Sequence, residues 1–317
     1  MRLKISDTEN FTMGIKHLIN EELTSSYEAI EKVTTETRHE TIHSLRKSFK
    51  RIRAILRLIR EKIGKQEYKK QNTFYRDLGR QISDLRDSTS IIEVLDDLRI
   101  KHKKELETDA FELPLESLTY YRRQATKKQL DQEDKLSFIQ SALYDKLIAS
   151  EEWIPEIESF TDLSPSLRRV YKRGKEGLAK SIESKSPQDF HEWRKRAKYL
   201  RFEMEVLNRI WPKPMKAFAK ELHDITDYLG TDHDLYLLTE KINNSDVQFK
   251  STTEKSILMA LIEHQRQQLQ EYSILKGKKF YNFHSDQFIQ LLENAWNLHQ
   301  KRKKKDSLLK QVVLIHQ

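Results

Sequence analysis

The sequence predicts an all-α protein with an internal duplication of a half-chain unit. Three observations lead there. Glycine and proline together supply 13 of 317 residues, where average usage of roughly 12% would supply about 38. So few turn-formers leave little room for many short strands, or for Gly-rich nucleotide-binding loops. Apolar residues recur at three- and four-residue spacing over long stretches. A basic segment beginning at His43 returns at His191, 148 residues later.

The elements follow in order. Ile15, Leu18, Ile19, Leu23, Tyr27 and Ile30 mark a first amphipathic helix. Residues 41–63 read as a second helix with Thr41 as N-cap, and 72–104 as a third. The chain breaks around Pro114, and helix resumes from about 116 to 150. Residues 151–165 carry five acidic residues, no basic residue and two prolines. They read as the junction between an N-terminal half, 1–155, and a C-terminal half, 156–317. A helix then starts near Pro165, a suitable first-turn residue. Another opens at Ser186-Pro187 and runs to about Ile210. Pro212 and Pro214 end it, and helices are expected over 215–243, 252–275 and 284–304.

The repeated segment carries the chemistry. HSLRKSFKRIRAILRLI aligns with HEWRKRAKYLRFEMEVL: His43 with His191, Arg46 with Arg194, Lys47 with Lys195, Lys50 with Lys198, Arg53 with Arg201. At about 100° per residue these five positions fall within an arc of about 120°. Leu45, Phe49, Ile52 and Leu56 lie opposite, as do Trp193, Ala197, Leu200 and Met204. Each helix therefore has one apolar and one cationic face. Residues 43–60 hold seven basic and no acidic side chains. A merely solvated helix mixes signs, because Glu–Lys pairs stabilise it. A one-signed stripe repels itself unless an anion neutralises it.

Further candidates flank the stripes. Arg57 extends the first. Arg80 and Arg76 lie on one face seven and eleven residues before Asp87. The equivalents before Asp234 are Asp227 and His223, with Lys220 nearby. The third helix of each half adds Arg122, Arg123 and Lys127, or Arg266. Asp87 and Asp234 are expected to pair with stripe cations and fix their rotamers. The stripe arginines are expected to bind ligand without contributing to the fold.

These residues resemble the conserved histidine α-helical domain, the CHAD family. The first hallmark is His43, Arg46, Lys50-Arg51 and Arg53. The second is His191, Arg194, Lys195, Lys198, Arg201 and Phe202. Arg86-Asp87 follows the first, and Leu229, Gly230 and Asp234 follow the second. The likeness runs from about residue 10 to 300. It implies an all-α fold of two pseudo-symmetric antiparallel helical bundles with a basic channel or groove, binding of inorganic polyphosphate there, association with polyphosphate granules and their proteins, and no cofactor. Some relatives carry a triphosphate-tunnel module with Glu-x-Glu-x-Lys. Here Glu-x-Glu occurs at 105/107, 156/158 and 203/205, never with Lys two residues on, so a binding protein rather than an enzyme is expected.

The residue types suit that ligand. Polyphosphate has about one charge per phosphate and no bases to read, so recognition is electrostatic. Arg offers a planar fork for two oxygens and Lys a mobile point charge. His43 and His191 are placed near helix starts, where the dipole favours anions. A nonspecific RNA binder is the alternative, with nucleic acid otherwise a weaker competitor. Single-strand binding usually adds exposed stacking aromatics, and Phe49 and Trp193 fall on the apolar side. A metal-dependent phosphohydrolase built on His191, His223, Asp224 and Asp234 is less favoured, because the repeat mate of that His-Asp pair is Arg76-Asp77.

Cysteine is absent. That excludes disulfides, thiolate nucleophiles and Cys-ligated metals, and fits a reducing compartment. The N-terminus lacks the apolar stretch of a signal peptide. No stretch approaches about 18 apolar residues, so no membrane span is expected. A net charge of +9 points to a polyanionic partner. A cytoplasmic protein, located on polyphosphate granules, is the expectation.

Overall fold

The computed structural model describes residues 3–107, 109–149 and 153–315, with side chains described as far as 303. Among the described residues 83% are helical, in eleven α-helices and two short helical turns, and no strand occurs. The helices are α1 Phe11–Glu31, α2 Arg38–Leu58, α3 Arg60–Gln81, α4 Ser83–Lys101, α5 Glu112–Thr126, α6 Lys135–Ile148, α7 Phe160–Ser184, α8 Pro187–Val206, α9 Pro212–Asn243, α10 Thr252–Phe280 and α11 Ser285–Ile315. A π-helical stretch, Lys127–Gln132, joins α5 towards α6, and a 3-10 turn, Asn208–Ile210, follows α8.

Local chemistry sets several starts. The Asn10 side chain accepts from the Met13 amide at 2.7 Å and opens α1. Ser186 accepts from the Asp189 amide at 3.2 Å, with Pro187 in the first turn of α8. Ser251 caps α10 through the Glu254 amide at 3.1 Å. Each cap satisfies an amide that the helix itself leaves without a partner.

Several boundaries differ from the sequence reading. Thr41 is not a cap: α2 begins at Arg38, one residue after Thr37, and Thr41 is buried inside the helix. The expected helix over 72–104 is divided at Ile82, whose φ of −118° and ψ of 18° leave the helical region. The expected helix over 116–150 is interrupted by the π-helical stretch. Pro165 does not open α7. The helix starts at Phe160, where the Asp162 carboxylate accepts from the Glu158 and Ser159 amides. Pro165 sits inside and cannot donate to the Thr161 carbonyl, but the Ser164 hydroxyl donates to that carbonyl instead, at 3.3 Å. In the junction, Ile154 and Ile157 are buried, while Glu151 and Glu152 lie outside the described residues.

Packing follows the apolar faces. Leu45, Phe49, Ile52, Leu56, Trp193, Ala197, Leu200 and Met204 are each at most 2% exposed. α2 packs on α8, α8 on α7 and α9, α1 on α2 and α6, α7 on α11, α4 on α5 and α9, and α9 on α10. The large core runs from Leu3 to Trp296 and a second gathers α4, α5, α9 and α10. Both draw on residues from either side of residue 155. Among the described residues no helix is long and apolar enough to cross a membrane.

Candidate functional site

Burial of the apolar faces of α2 and α8 leaves their cationic faces at and beside the α2–α8 contact. A cleft of about 420 Å³ opens between α2, α3 and α8. Arg46, Lys50, Arg53, Arg57, Arg76, Arg80, Lys195 and Arg196 line it, against Glu192 as its one carboxylate. Arg53 donates to the Asn72 side chain at 3.1 Å, and Arg57 to the Arg53 carbonyl at 2.6 Å. Arg76 and Arg80 share Asp77, at 2.8 and 3.6 Å. Lys195 is paired with Glu192.

A second cleft of about 290 Å³ lies between α8 and α9, with Arg51 from α2. Lys4, Lys216, Lys220, Arg201 and His223 line it beside Glu205. Arg201 donates to Glu205 at 2.9 Å and lies 3.1 Å from His223. His223 lies 3.0 Å from Asp227.

Lys50 lines the first cleft and lies in the field of Lys198 of α8, which lines neither cleft. Neither lysine forms an ion pair among the described residues. Burial, and then Lys198 and the guanidinium groups of Arg46 and Arg194, hold Lys50 well below the ordinary lysine range, with Asp87 opposing. Burial and then Arg194 and Arg201 push Lys198 down to about 7. The histidines lie in the same field. His43 is exposed but lowered by desolvation and by Arg86, Lys47, Lys50 and Lys198. His191 is pushed down to about 4 by burial and by Lys195, Arg194 and Lys50. Its Nδ1 is buried with no partner, and its ring centroid lies 4.0 Å from that of His233. Burial, then His191 and Arg194, push His233 down to about 3, so His191 and His233 are neutral at pH 7. His43 lies more than a turn inside α2 and His191 is the fifth residue of α8. The N-terminal dipole expected to serve them acts within the first turn, so it does not account for them.

Arg46 and Arg194 do more than the sequence reading expects. Arg46 Nη1 donates to the Gly79 carbonyl at 2.9 Å, and Nη2 lies 3.6 Å from Asp87. Arg194 Nε donates to the Thr226 carbonyl at 3.2 Å. Both therefore tie the stripe helix to the next helix as well as carrying charge. Gly230 makes room for Arg194: a Cβ there would lie 2.8 Å from Nη2. Asp87 meets Arg46 as expected. Asp234 is drawn towards its charged form by Arg194 but makes no ion pair within 4 Å among the described residues. Burial, with Asp87 adding to it, pushes Asp234 up to about 6.

The remaining candidates lie elsewhere. Lys47 is exposed on α2. Arg122 acts on His39, Arg123 is exposed on α5, and neither lines the two clefts. Arg266 donates to Asp232, a carboxylate only 2% exposed, at 3.1 Å. That is a buried pair at α9–α10, not part of a stripe. Arg196 and Tyr199 line the first cleft and escaped the sequence reading, because both fall off the His191–Arg201 arc. Among the described residues no group of three or more His, Cys, Asp or Glu is placed to hold a metal ion.

The family model of the CHAD domain matches residues 20–243. The chain belongs to the CHAD family. The match takes in α2 and α8 with both hallmark segments and ends at Asn243, the last residue of α9. In this CHAD chain the two hallmark histidines stand beside the unpaired lysines rather than at helix caps. No curated protein matches the chain.

Proposed function

We propose that this CHAD protein binds inorganic polyphosphate along one basic tract, in which the two clefts are joined through Lys50 and Lys198. The observation that carries the reading is that uncompensated pair of lysines at the α2–α8 contact. Each is partly desolvated and surrounded by like charge. Such an arrangement weakens the fold unless a polyanion occupies it. Family membership adds to it, since CHAD domains are linked to polyphosphate.

The tract follows from an internal duplication. Shifted by 147–148 residues, α1 falls on α7, α2 on α8, α3 with α4 on α9, α5 on α10 and α6 on α11. The packed pairs correspond too, α1–α6 with α7–α11 and α4–α5 with α9–α10. The Arg46 bond to Gly79 has its counterpart in the Arg194 bond to Thr226. The field of Lys198 on His43 is matched by that of Lys50 on His191. A pseudo-two-fold axis through the α2–α8 contact accounts for all of these, and makes the second cleft the counterpart of the first. The halves 1–155 and 156–317 then form one unit around the shared stripes.

Polyphosphate suits the tract better than RNA does. Tyr199 is the aromatic residue that α8 adds to the first cleft, and its ring is covered by the Arg57 guanidinium at 3.7 Å. Phe49 is 2% exposed. Neither presents the open ring face that stacks a base. The protein acts as a binder that addresses or organises polyphosphate granules in the cytoplasm, not as an enzyme. The test is charge reversal. Lys50→Glu with Lys198→Glu abolishes polyphosphate binding and granule association while the helical circular dichroism is kept. Retained affinity in the folded double variant would overturn the reading.

A further inference from the structure

Beyond the first cleft lies a smaller recess that no hallmark residue foretells. Arg57, Arg196 and Tyr199 form a wall common to both. Arg60 and Tyr68 come from α3, and Arg169 and Arg173 from α7, so the recess brings five guanidinium groups together with no carboxylate in its lining. Arg169 and Arg173 are exposed at its mouth. Neither they nor Arg57 form an ion pair among the described residues. Arg60 and Arg196 do reach carboxylates outside the lining, Glu61 at 3.9 Å and Glu192 at 3.3 Å.

The cluster is ordered by ring contacts. Arg57 lies over Tyr199 at 3.7 Å and Arg60 over Tyr68 at 4.8 Å. Stacking of this kind fixes a guanidinium plane while leaving N–H groups at its edge to donate. Desolvation and the charges of Arg196, Arg57 and Arg60 lower Arg173 from its ordinary value, with Tyr68 opposing. The arginines therefore repel one another, and an anion among them relieves that repulsion.

The shape differs from that of the cleft. Against about 420 Å³ in the cleft, the recess holds about 20 Å³, a space for one oxygen-sized group rather than for a chain to pass. Ser166 and Val170 of α7 also line it. An interior phosphate of a linear polyphosphate has two non-bridging oxygens and one charge. A terminal phosphate has three such oxygens and titrates a second proton near pH 6 to 7, like other phosphate monoesters. Five guanidinium groups around a recess that admits one oxygen match the second species, whose other two non-bridging oxygens stay at the mouth beside Arg169 and Arg173.

We propose that this recess captures the terminal phosphate of a polyphosphate chain while the adjoining cleft takes interior phosphates, so that the protein recognises chain ends. The proposal rests on the polyphosphate reading. It makes Arg169 and Arg173 end-specific residues, distinct from the stripe.

The test compares linear polyphosphate of one length with free ends against the same chain with both termini capped as phosphoramidates, which leaves each end one charge and two non-bridging oxygens, as at an interior phosphate. It uses wild type and the double variant Arg169→Ala with Arg173→Ala. Both arginines are exposed, and an unchanged melting temperature confirms the fold. Wild type binds the free-ended chain about tenfold more tightly, the scale set by hydrogen bonds to a charged group. That preference grows between pH 5 and pH 8 as the terminal phosphate ionises. The double variant binds both chains with the capped-chain affinity. Equal binding of capped and free-ended chains by wild type would overturn the recess proposal and leave the polyphosphate reading standing. So would a double variant that weakens both chains alike. Binding of neither chain would overturn both.

Discussion

Lys50 of α2 lies in the field of Lys198 of α8, and burial together with that field favours its neutral form. This opposition of like charges at the centre of the hallmark helices has a consequence for protons. Lys198, at about 7 in the free protein, is mostly neutral at pH 8. Phosphate oxygens beside it favour the charged form, so binding raises its pKa. Polyphosphate binding at pH 8 therefore takes up on the order of one proton, and affinity rises as pH falls from 8 to 6. Calorimetry in two buffers of different ionisation enthalpy reads the uptake directly. Identical heats in both would contradict the assignment.

The same residues bear on stability. A lysine whose folded value is depressed costs stability below that value. The cost is relieved as pH rises from the folded value towards the ordinary 10.5. Lys198→Met removes the charge and keeps most of the side-chain volume. Its melting temperature is expected to exceed that of wild type at pH 6, with the difference shrinking at pH 9, while polyphosphate affinity falls at both.

Gly230 separates the two roles of Arg194. Alanine in a helix interior is favoured over glycine by roughly 0.8–1.0 kcal/mol, but its Cβ would lie 2.8 Å from Arg194 Nη2. The guanidinium is the end of a flexible side chain and can move away, giving up the Thr226 carbonyl. Gly230→Ala is expected to leave thermal stability unchanged or lower it by up to about 2 kcal/mol, because the helix gain offsets only part of the about 1–3 kcal/mol lost when the carbonyl loses its charged donor, and to weaken polyphosphate several-fold. Arg194→Ala lowers both, with the full stability loss of about 1–3 kcal/mol and no helix gain to offset it. Melting and binding measured on the same samples distinguish them.

Leu200 tests the apolar side of the same helix. It is fully buried, so Leu200→Ala costs about 2–5 kcal/mol. The affinity of the molecules that remain folded is unchanged. A loss of affinity without a loss of stability would place Leu200 in the binding surface instead.

Glu203 gives a second pH signature, independent of ligand. Its carboxyl is fully buried, neither oxygen has a hydrogen-bond partner among the described residues, and burial raises it well above 4.5, with Arg57 opposing. Such a group costs nothing below its ordinary value and weakens the fold progressively as pH rises above it. Glu203→Gln is expected to melt higher than wild type at pH 8, with the gap closing towards pH 5. A gap independent of pH would show that Glu203 is charged in the fold.

Most of the fold was legible because it rests on period. The spacing from Ile15 to Ile30 gave α1, and the offset from His43 to His191 paired α2 with α8. Boundaries were lost where no residue announces them. Ile59 and Ile82 end helices by backbone geometry alone, with neither Gly nor Pro beside them. Pro165 misled, because Ser164 supplies the bond that the proline cannot. Of the residues that the spacing put on the hallmark arc, Arg46, Lys50, Arg53, Lys195 and Arg201 line the clefts, whereas the spacing gave no sign of those that tertiary packing gathers. Arg169 and Arg173 belong to α7, whose counterpart α1 carries no such pair, so no repeat drew attention to them. Arg266 illustrates the opposite error. Its charge suggested a ligand, whereas its partner is the buried Asp232.

The central claim is that the stripes form an electrostatic tract for polyphosphate. The most direct measurement is a calorimetric titration with long-chain polyphosphate, RNA and ATP across a salt series. Polyphosphate should bind most tightly and displace RNA. Its affinity should fall steeply and log-linearly between about 50 and 200 mM salt, as releasing condensed counterions into more concentrated salt gains less free energy. RNA binding as tightly as polyphosphate, or a polyphosphate affinity indifferent to salt, would contradict the account.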